Sequence, residues 1–159
     1  MGLVKRIAEN VQLMVRRPPR QQYAALCYRV PKGAMTPEIL LLTSRETRRW
    51  VIPKGWPMDG KDAHKVAERE AYEEAGVKGE VQSESLGHFD YEKKLRSGLV
   101  VTCRVEVYPL KVEKLISDFP EKDERELAWF SPTEAAELVN EPELKQLILA
   151  FDHTNQLTS

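Results

Sequence analysis

Three closely spaced glutamates are the residues of this sequence best suited to chemistry. Glu70, Glu73 and Glu74 lie in the run Arg69-Glu70-Ala71-Tyr72-Glu73-Glu74-Ala75-Gly76-Val77, which is predicted to form the end of a helix. Residues three and four apart share one face of a helix, so the three carboxylates converge. Converging negative charges repel each other unless a cation lies between them. Hard divalent cations such as Mg²⁺ prefer oxygen ligands, so the spacing suits such an ion.

The apolar stripe of the same helix indicates where these acids point. At about 100° per residue, Ala63, Val66 and Ala67 fall on the side of the three glutamates. A solvated helix would carry its acids opposite the apolar stripe. Acids that point inward are costly unless they are paired or bound to metal. Two interpretations therefore remain open, an ordinary acidic helix end and a cation site.

The residues before the helix favour the cation site. Residues 50–55 predict a short apolar strand that runs into a glycine, and residues 56–60 predict a turn. Asp62 suits the N-cap of the helix and Gly76 suits the position just after its last turn. The predicted unit is a strand, a glycine-containing loop and a helix whose inner face carries the acids.

This unit resembles the Nudix box, G-x5-E-x7-R-E-U-x-E-E-x-G-U, in which U is a bulky apolar residue. Gly55 occupies the first position, and residues 69–77 match the second half at the right spacing. Lys61 replaces the first glutamate and Ala71 replaces the first U. In the family that first glutamate mainly helps to hold the loop and helix, so Lys61 predicts a loop that is braced differently. The similarity in layout extends over roughly residues 20–152.

The resemblance implies Mg²⁺- or Mn²⁺-dependent hydrolysis of a phosphoanhydride in a nucleoside diphosphate linked to another group. Glu70 and Glu74 are the expected metal ligands, and the backbone carbonyl of Gly55 would complete the set. Glu73 is either a third ligand or the base that takes a proton from water, and the resemblance assigns it as the base. Arg69, four residues earlier, would pair with Glu73 and orient it.

Basic residues before the box are expected to bind the phosphates of the substrate. They are Arg45, Arg49 and Lys54. Residues 43–45 and 49–55 are similar to the diphosphoinositol and diadenosine polyphosphate branch of the family, which acts on highly phosphorylated substrates. The resemblance therefore favours a dinucleoside polyphosphate or a diphosphoinositol polyphosphate.

Other polar and aromatic residues are assigned ordinary structural roles. A surface role is favoured for Lys93, Lys94 and Arg96. Trp50 is expected in the core, and for Trp56 packing is slightly favoured over stacking on a base. Many Nudix enzymes carry an extra acid outside the box. Glu124 and Glu126 are the candidates within the acidic stretch 121–126, although a solvated loop is the favoured interpretation.

Further strands and helices are predicted on both sides of the box. Strands are expected at residues 21–30, 38–44, 49–53, 80–90, 99–110 and 127–130. One helix should begin at the capping box Ser131-Pro132-Thr133-Glu134, and another should cover 143–151. Residues 111–126 are expected to be a polar connection. This pattern predicts a layered α/β fold, and the resemblance implies an α/β/α sandwich with a mixed sheet.

The composition of the chain is that of an ordinary globular protein. Its 159 residues are 42% apolar and 31% charged, which suits one domain with a proper core. The expected division is a basic N-terminal segment, 1–20, with a possible short helix, a Nudix domain, 21–152, and a tail, 153–159. A net charge of −1 gives no field that would draw the chain to nucleic acid or a membrane. The expected partner is a small phosphorylated substrate, and the chain is expected to be a monomer or homodimer.

The two cysteines and the hydropathy pattern bear on localisation. Cys27 and Cys103 lie in apolar runs and are expected to be reduced core residues, which fits the cytoplasm. No apolar stretch is long enough to cross a bilayer, and no signal peptide is apparent.

Two alternatives to the favoured function remain open. One is a Nudix pyrophosphatase of other specificity, for ADP-ribose or a damaged nucleotide. The other is a non-catalytic module that binds a nucleotide, which the replacement of the first box glutamate by Lys61 would suit. The three retained glutamates argue against the second alternative, because non-catalytic relatives tend to lose them.

Overall fold

One mixed sheet with helices on both faces makes up the part of the chain that the structure, a computed structural model, describes, residues 18–156. Its strands are β1 (Arg20–Arg29), β2 (Glu38–Thr43), β3 (Trp50–Val51), β4 (Lys54–Gly55), β5 (Val77–Val81), β6 (Gly87–Lys94), β7 (Val100–Leu115) and β8 (Leu127–Phe130). Its helices are α1 (Ala63–Ala75), α2 (Pro132–Leu138), α3 (Pro142–Ala150) and a 3₁₀ turn, His153–Gln156. The helix predicted near the N-terminus lies outside the described residues.

The strand order of the sheet is β3-β2-β1-β7-β5, with β4 paired to β1, β6 to β7 and β8 to β2. Strands β1 and β7 are parallel, with Arg20 opposite Cys103 and Tyr28 opposite Lys111. The other pairs described here are antiparallel. The predicted mixed sheet is therefore confirmed, with β1 and β7 at its centre.

The central strand β1 is buried on both faces, as its apolar sequence predicts. Leu26 and Tyr28 point to the layer formed by α2 and α3, whereas Ala25 and Cys27 point to α1. Successive side chains alternate across a strand, which produces this division. The result is the expected α/β/α sandwich, in which α1 packs against one face of the sheet centre.

Local signals predict several helix ends correctly. Helix α1 ends at Gly76, whose φ of 68° is in the left-handed region. Helix α2 begins with the predicted capping box, in which the Ser131 hydroxyl accepts from the Glu134 amide and the Glu134 carboxylate accepts from the Ser131 amide. Asp62 occupies the N-cap position of α1, but its side chain makes no capping hydrogen bond.

The long strand β7 differs most from the expected pattern. The single strand expected over residues 80–90 is two strands, because β5 and β6 pair with different parts of β7. The segment predicted as a polar connection begins only after Leu115, where β7 ends. Pairing with β5 and β6 extends β7 to Leu115. The local pattern of polar residues gives no sign of this pairing. Among residues 18–156, no helix is long and apolar enough to span a membrane.

Candidate active site

A cleft of about 330 Å³ gathers most of the predicted site residues. Its walls come from the start of the box, the inner face of α1, strand β6 and the segment between β7 and β8. The lining includes the predicted metal ligands and two of the predicted substrate contacts, namely Gly55, Glu70, Glu74, Arg45 and Lys54. The structure therefore brings together residues from three separate parts of the chain.

The first glycine of the box is required by its contact with Glu70. A Cβ atom at position 55 would overlap the Glu70 carboxyl group. Gly55 lies in β4, opposite Tyr23 of β1, so the sheet fixes its backbone. The absence of a side chain lets the Glu70 carboxyl lie directly against the strand.

Glu74 is the most deeply buried acid of the cleft, with 4% of its surface exposed. Its Oε2 accepts a hydrogen bond from the Lys54 amide at 3.1 Å. Its Oε1 lies 3.2 Å from Nη2 of Arg125. This carboxylate thus connects α1 with β4 and with the segment before β8.

The environment favours one shared proton on the two box acids over two separate negative charges. Burial raises the pKa of Glu74 well above its usual range, and a hydrogen bond with Glu70 raises it further, while Arg125 and Lys54 oppose the shift. Burial also raises the pKa of Glu70, and the bond with Glu74 partly offsets this. A buried carboxyl beside a partly buried one is stabilised by a proton or by a cation. The carboxylate oxygens of Glu70 and Glu74, which lie next to Gly55, therefore suit a divalent ion as ligands.

The raised pKa values predict how stability depends on pH. The folded state binds the proton of this pair more tightly than the unfolded state. The stabilising contribution of the pair to the free energy of unfolding is therefore fully present below the ordinary glutamate pKa of 4.5. That contribution is lost as pH rises through the raised value. In EDTA, the Tm of wild type should therefore fall relative to that of Glu74→Gln as pH rises above 4.5. Differential scanning fluorimetry measures this, and a difference that is flat or rises with pH contradicts it.

Glu73 lies beside the cleft and does not line it. Its Oε1 is 2.9 Å from Nε of Arg69, which is the predicted pair. Both side chains are partly exposed, at 30% for Glu73 and 49% for Arg69. The role of Glu73 as base stays a prediction, and its carboxylate is turned along the helix toward Arg69.

Glu121, which belongs to the acidic stretch for which a solvated loop is favoured, lines the cleft instead. Its amide donates to the Glu73 carbonyl at 3.0 Å, and the Ile116 amide donates to the Gly76 carbonyl at 2.8 Å. Phe119 packs where a Cβ at position 76 would be, so the second box glycine also makes room for this segment. We call residues 116–126 the docking loop, because these contacts bind it to the end of α1.

The two candidate acids, Glu124 and Glu126, are exposed and do not line the cleft, as the favoured interpretation of a solvated loop predicts. The Glu121 side chain is 20% exposed. The one sequence signal that points to it is Phe119, an apolar anchor within a polar stretch.

Lysines are more prominent in the cleft than expected. Lys93 and Lys94, assigned to the surface from the sequence, line it together with Lys54. Among residues 18–156, none of these three lysines has an ion-pair partner. Arg45 also lines the cleft and lies 3.8 Å from Glu121, too far for a good hydrogen bond. The cleft wall therefore offers positive charge to an anion.

Arg49 does not line the cleft, and its role in substrate binding stays a prediction. Its Nη1 lies 2.7 Å from Oε1 of Glu141, which is buried at the start of α3. Trp50 packs edge-on against Phe130, with ring centroids 5.1 Å apart, as a core residue would. Trp56 lines the cleft and is 39% exposed, although packing was the favoured prediction.

Lys61, the departure from the box pattern, lies on the outer side of α1. It lines a separate depression with Lys65, Arg69 and Lys78, and its amide donates to the Met58 carbonyl at 3.1 Å. It therefore adds no positive charge to the cleft. The loop is held here by the backbone turn from Met58 to Lys61.

Comparison with known proteins decides the family. The model of the NUDIX domain matches residues 19–151. The chain belongs to the Nudix family. This Nudix chain is 35% identical, over 104 residues, to Nudix hydrolase 12, mitochondrial, of Arabidopsis thaliana, which is 64% of this chain and 51% of that protein. It thus spans about half the length of that relative.

A human relative and a solved structure extend the comparison. Diphosphoinositol polyphosphate phosphohydrolase 3-beta of Homo sapiens is 31% identical over 76% of this Nudix chain and 69% of that protein. The branch resemblance seen around residues 43–55 is therefore confirmed. The Ap4A hydrolase of C. elegans in a binary complex superposes with a TM-score of 0.62, at 20% identity, over 86% of this chain and 98% of that chain. That likeness shows the fold.

Proposed function

We propose that this chain hydrolyses a phosphoanhydride bond, either in a nucleoside diphosphate linked to another group or in a diphosphoinositol polyphosphate. The observation that carries the proposal is the convergence of Glu70 and Glu74 over Gly55, in a cleft that Lys93 and Lys94 also line. Acids that bind a cation and lysines that bind phosphates are the two requirements of this reaction. The family to which the chain belongs supports the same chemistry.

Glu70, Glu74 and the Gly55 carbonyl would hold a divalent ion, Mg²⁺ or Mn²⁺. Such an ion, when bound, neutralises phosphate charge and acidifies water. Glu121 is the acid proposed to accept the proton of the attacking water, because it lines the same cleft and Glu73 does not. Glu121→Gln is therefore expected to lower kcat more than Glu73→Gln. The reverse order would restore Glu73 as the base.

The substrate is proposed to be a dinucleoside polyphosphate or a diphosphoinositol polyphosphate. Lys54, Lys93, Lys94 and Arg45 line the cleft, and together they offer several cationic contacts to a chain of phosphates. The human relative is named for diphosphoinositol polyphosphates, which supports the second class. The exposed Trp56 offers a face for a nucleobase, which favours the first class.

A substrate panel tests the proposal. Diadenosine tetraphosphate, a diphosphoinositol pentakisphosphate, ADP-ribose and an oxidised nucleoside triphosphate are incubated with the chain and Mg²⁺ or Mn²⁺. We expect turnover of one or both of the first two, detected by chromatography of the products. Preferential cleavage of ADP-ribose or the oxidised nucleotide selects another Nudix specificity. Calorimetric binding without any product selects a non-catalytic module.

A location in the cytoplasm and a monomeric or dimeric state are part of the same proposal. The buried, unpaired thiols of Cys27 and Cys103 suit a reducing compartment.

A further inference from the structure

The guanidinium of Arg125 joins three parts of the cleft. Its Nη2 lies 2.9 Å from Oε1 of Glu121 and 3.2 Å from Oε1 of Glu74. Its Nε donates to the same Glu121 oxygen at 3.0 Å, and its Nη1 donates to the Thr43 carbonyl at 3.2 Å. The side chain is 9% exposed. One buried fork thus connects the docking loop, the box helix and the end of β2.

This arrangement is specific to arginine. The guanidinium is planar and always charged, and it presents its donors in a fixed geometry, whereas the lysine ammonium is a single point charge. A lysine at position 125 would keep the positive charge but could not bond Glu121, Glu74 and the Thr43 carbonyl together. The substitution Arg125→Lys therefore separates the effect of the positive charge from the effect of the guanidinium hydrogen-bond geometry.

The docking loop makes two kinds of contact, one through its backbone and one through the side chain of Glu121. Backbone hydrogen bonds from Ile116 and Glu121 to α1 hold the loop in place. These bonds leave the direction of the Glu121 side chain undetermined. Arg125 binds that side chain through two of its N–H groups, whereas Arg45 approaches it only to 3.8 Å.

We propose that Arg125 is a positioning residue that holds the Glu121 carboxylate beside Glu74, in the cleft that Lys93 and Lys94 also line. The proposal rests on the proposed function in assigning Glu121 a part in the reaction. Arg125 acts on the reaction through Glu121, and its contact with Glu74 helps to fix the guanidinium in place. Its removal therefore disturbs the direction of one carboxylate without undocking the loop.

The test is a double-mutant cycle with Arg125→Lys and Glu121→Gln. In the wild-type background, Arg125→Lys should lower kcat by about 10- to 100-fold. KM should change little, because Lys93 and Lys94 still bind phosphate. In the Glu121→Gln background the same substitution should have little further effect, since the carboxylate that it positions is gone. Additive losses would overturn the proposal.

Two measurements without turnover complete the test. Hydrogen exchange should show the Ile116 and Glu121 amides still protected in Arg125→Lys, and loss of that protection would assign Arg125 a purely structural role. The fall in Tm caused by Arg125→Lys, about 3 °C or more, should shrink in the Glu121→Gln background. An equal fall in both backgrounds overturns the proposal for Arg125, even if no substrate of the panel is cleaved. The absence of cleavage would itself count against the proposed function.

Arg104→Lys is the matched control for these experiments. Arg104 also binds a carboxylate, with Nε 3.1 Å from Oδ1 of Asp90, but it is 47% exposed and does not line the cleft. Its substitution should leave kcat and the exchange of the docking-loop amides unchanged. A loss as large as that of Arg125→Lys would show that the effect is not specific to the cleft.

Discussion

Replacing Glu74 by Gln is expected to lower kcat by about three orders of magnitude. A divalent ion at such a site contributes several kcal/mol of charge stabilisation, and each 1.36 kcal/mol corresponds to a factor of about ten in rate. Glutamine is nearly the same size but carries no negative charge to hold the ion. Glu74 lines the cleft and is only 4% exposed. Steady-state kinetics on a substrate cleaved by wild type measures the effect.

The same variant should bind Mn²⁺ more weakly, which titration calorimetry measures without substrate. Its fold should persist, because the glutamine carbonyl can still accept the Lys54 amide and Arg125 keeps its bonds to Glu121. Glu68→Gln is the matched control. Glu68 lies on the same helix but pairs with Lys65 at 3.6 Å outside the cleft, so its loss should leave kcat unchanged. Equal turnover in wild type and Glu74→Gln would refute the assignment.

The parts of the site that could be predicted are those that local sequence determines. The apolar stripe of α1 runs through Val66 and Ala67 into Glu74, so the helical period alone turns that acid inward. Gly76 ends the helix because a left-handed residue is needed there. The spacing from Gly55 to Glu70 matches a known motif, and their contact follows from that motif.

The remaining part of the site depends on pairings between distant segments. Lys93 and Lys94 reach the cleft because β6 pairs with β7 up to Lys94, opposite Val100. Arg125 and Glu121 reach it because the docking loop binds the end of α1. Helical or strand periodicity does not report either arrangement.

Arg49 is the opposite case, a residue that was predicted to lie in the cleft but does not line it. A run of basic residues before the box suggested one common phosphate site. Arg49 pairs instead with Glu141, which is buried. Glu141 lies much later in the sequence, at the start of α3. Membership of a charged run therefore does not establish where a single side chain points.

Replacing Gly55 by Ala is expected to reduce both stability and activity. The added Cβ would overlap the Glu70 carboxyl group, so β4 and α1 must move apart or Glu70 must turn away. The φ of Gly55 is not positive, hence the effect comes from this contact and not from backbone strain. Overpacking of this kind costs about 1–3 kcal/mol, or about 3–10 °C in Tm for a chain of this size. A displacement near 1 Å at a reacting site lowers kcat by about 100-fold.

Two further variants separate the loss of stability from the loss of the site. In Gly79→Ala the new Cβ would overlap the Lys111 carbonyl, outside the cleft, so Tm should fall while kcat per folded molecule stays unchanged. In Gly55→Ala combined with Glu70→Asp, the shorter acid makes room for the methyl group. That double variant should recover much of the lost Tm but not the lost kcat, because the carboxylate no longer reaches the position beside Glu74. Recovery of full activity by the double variant would show that Gly55 matters only for packing and that the close approach of Glu70 to the strand is not needed for the reaction.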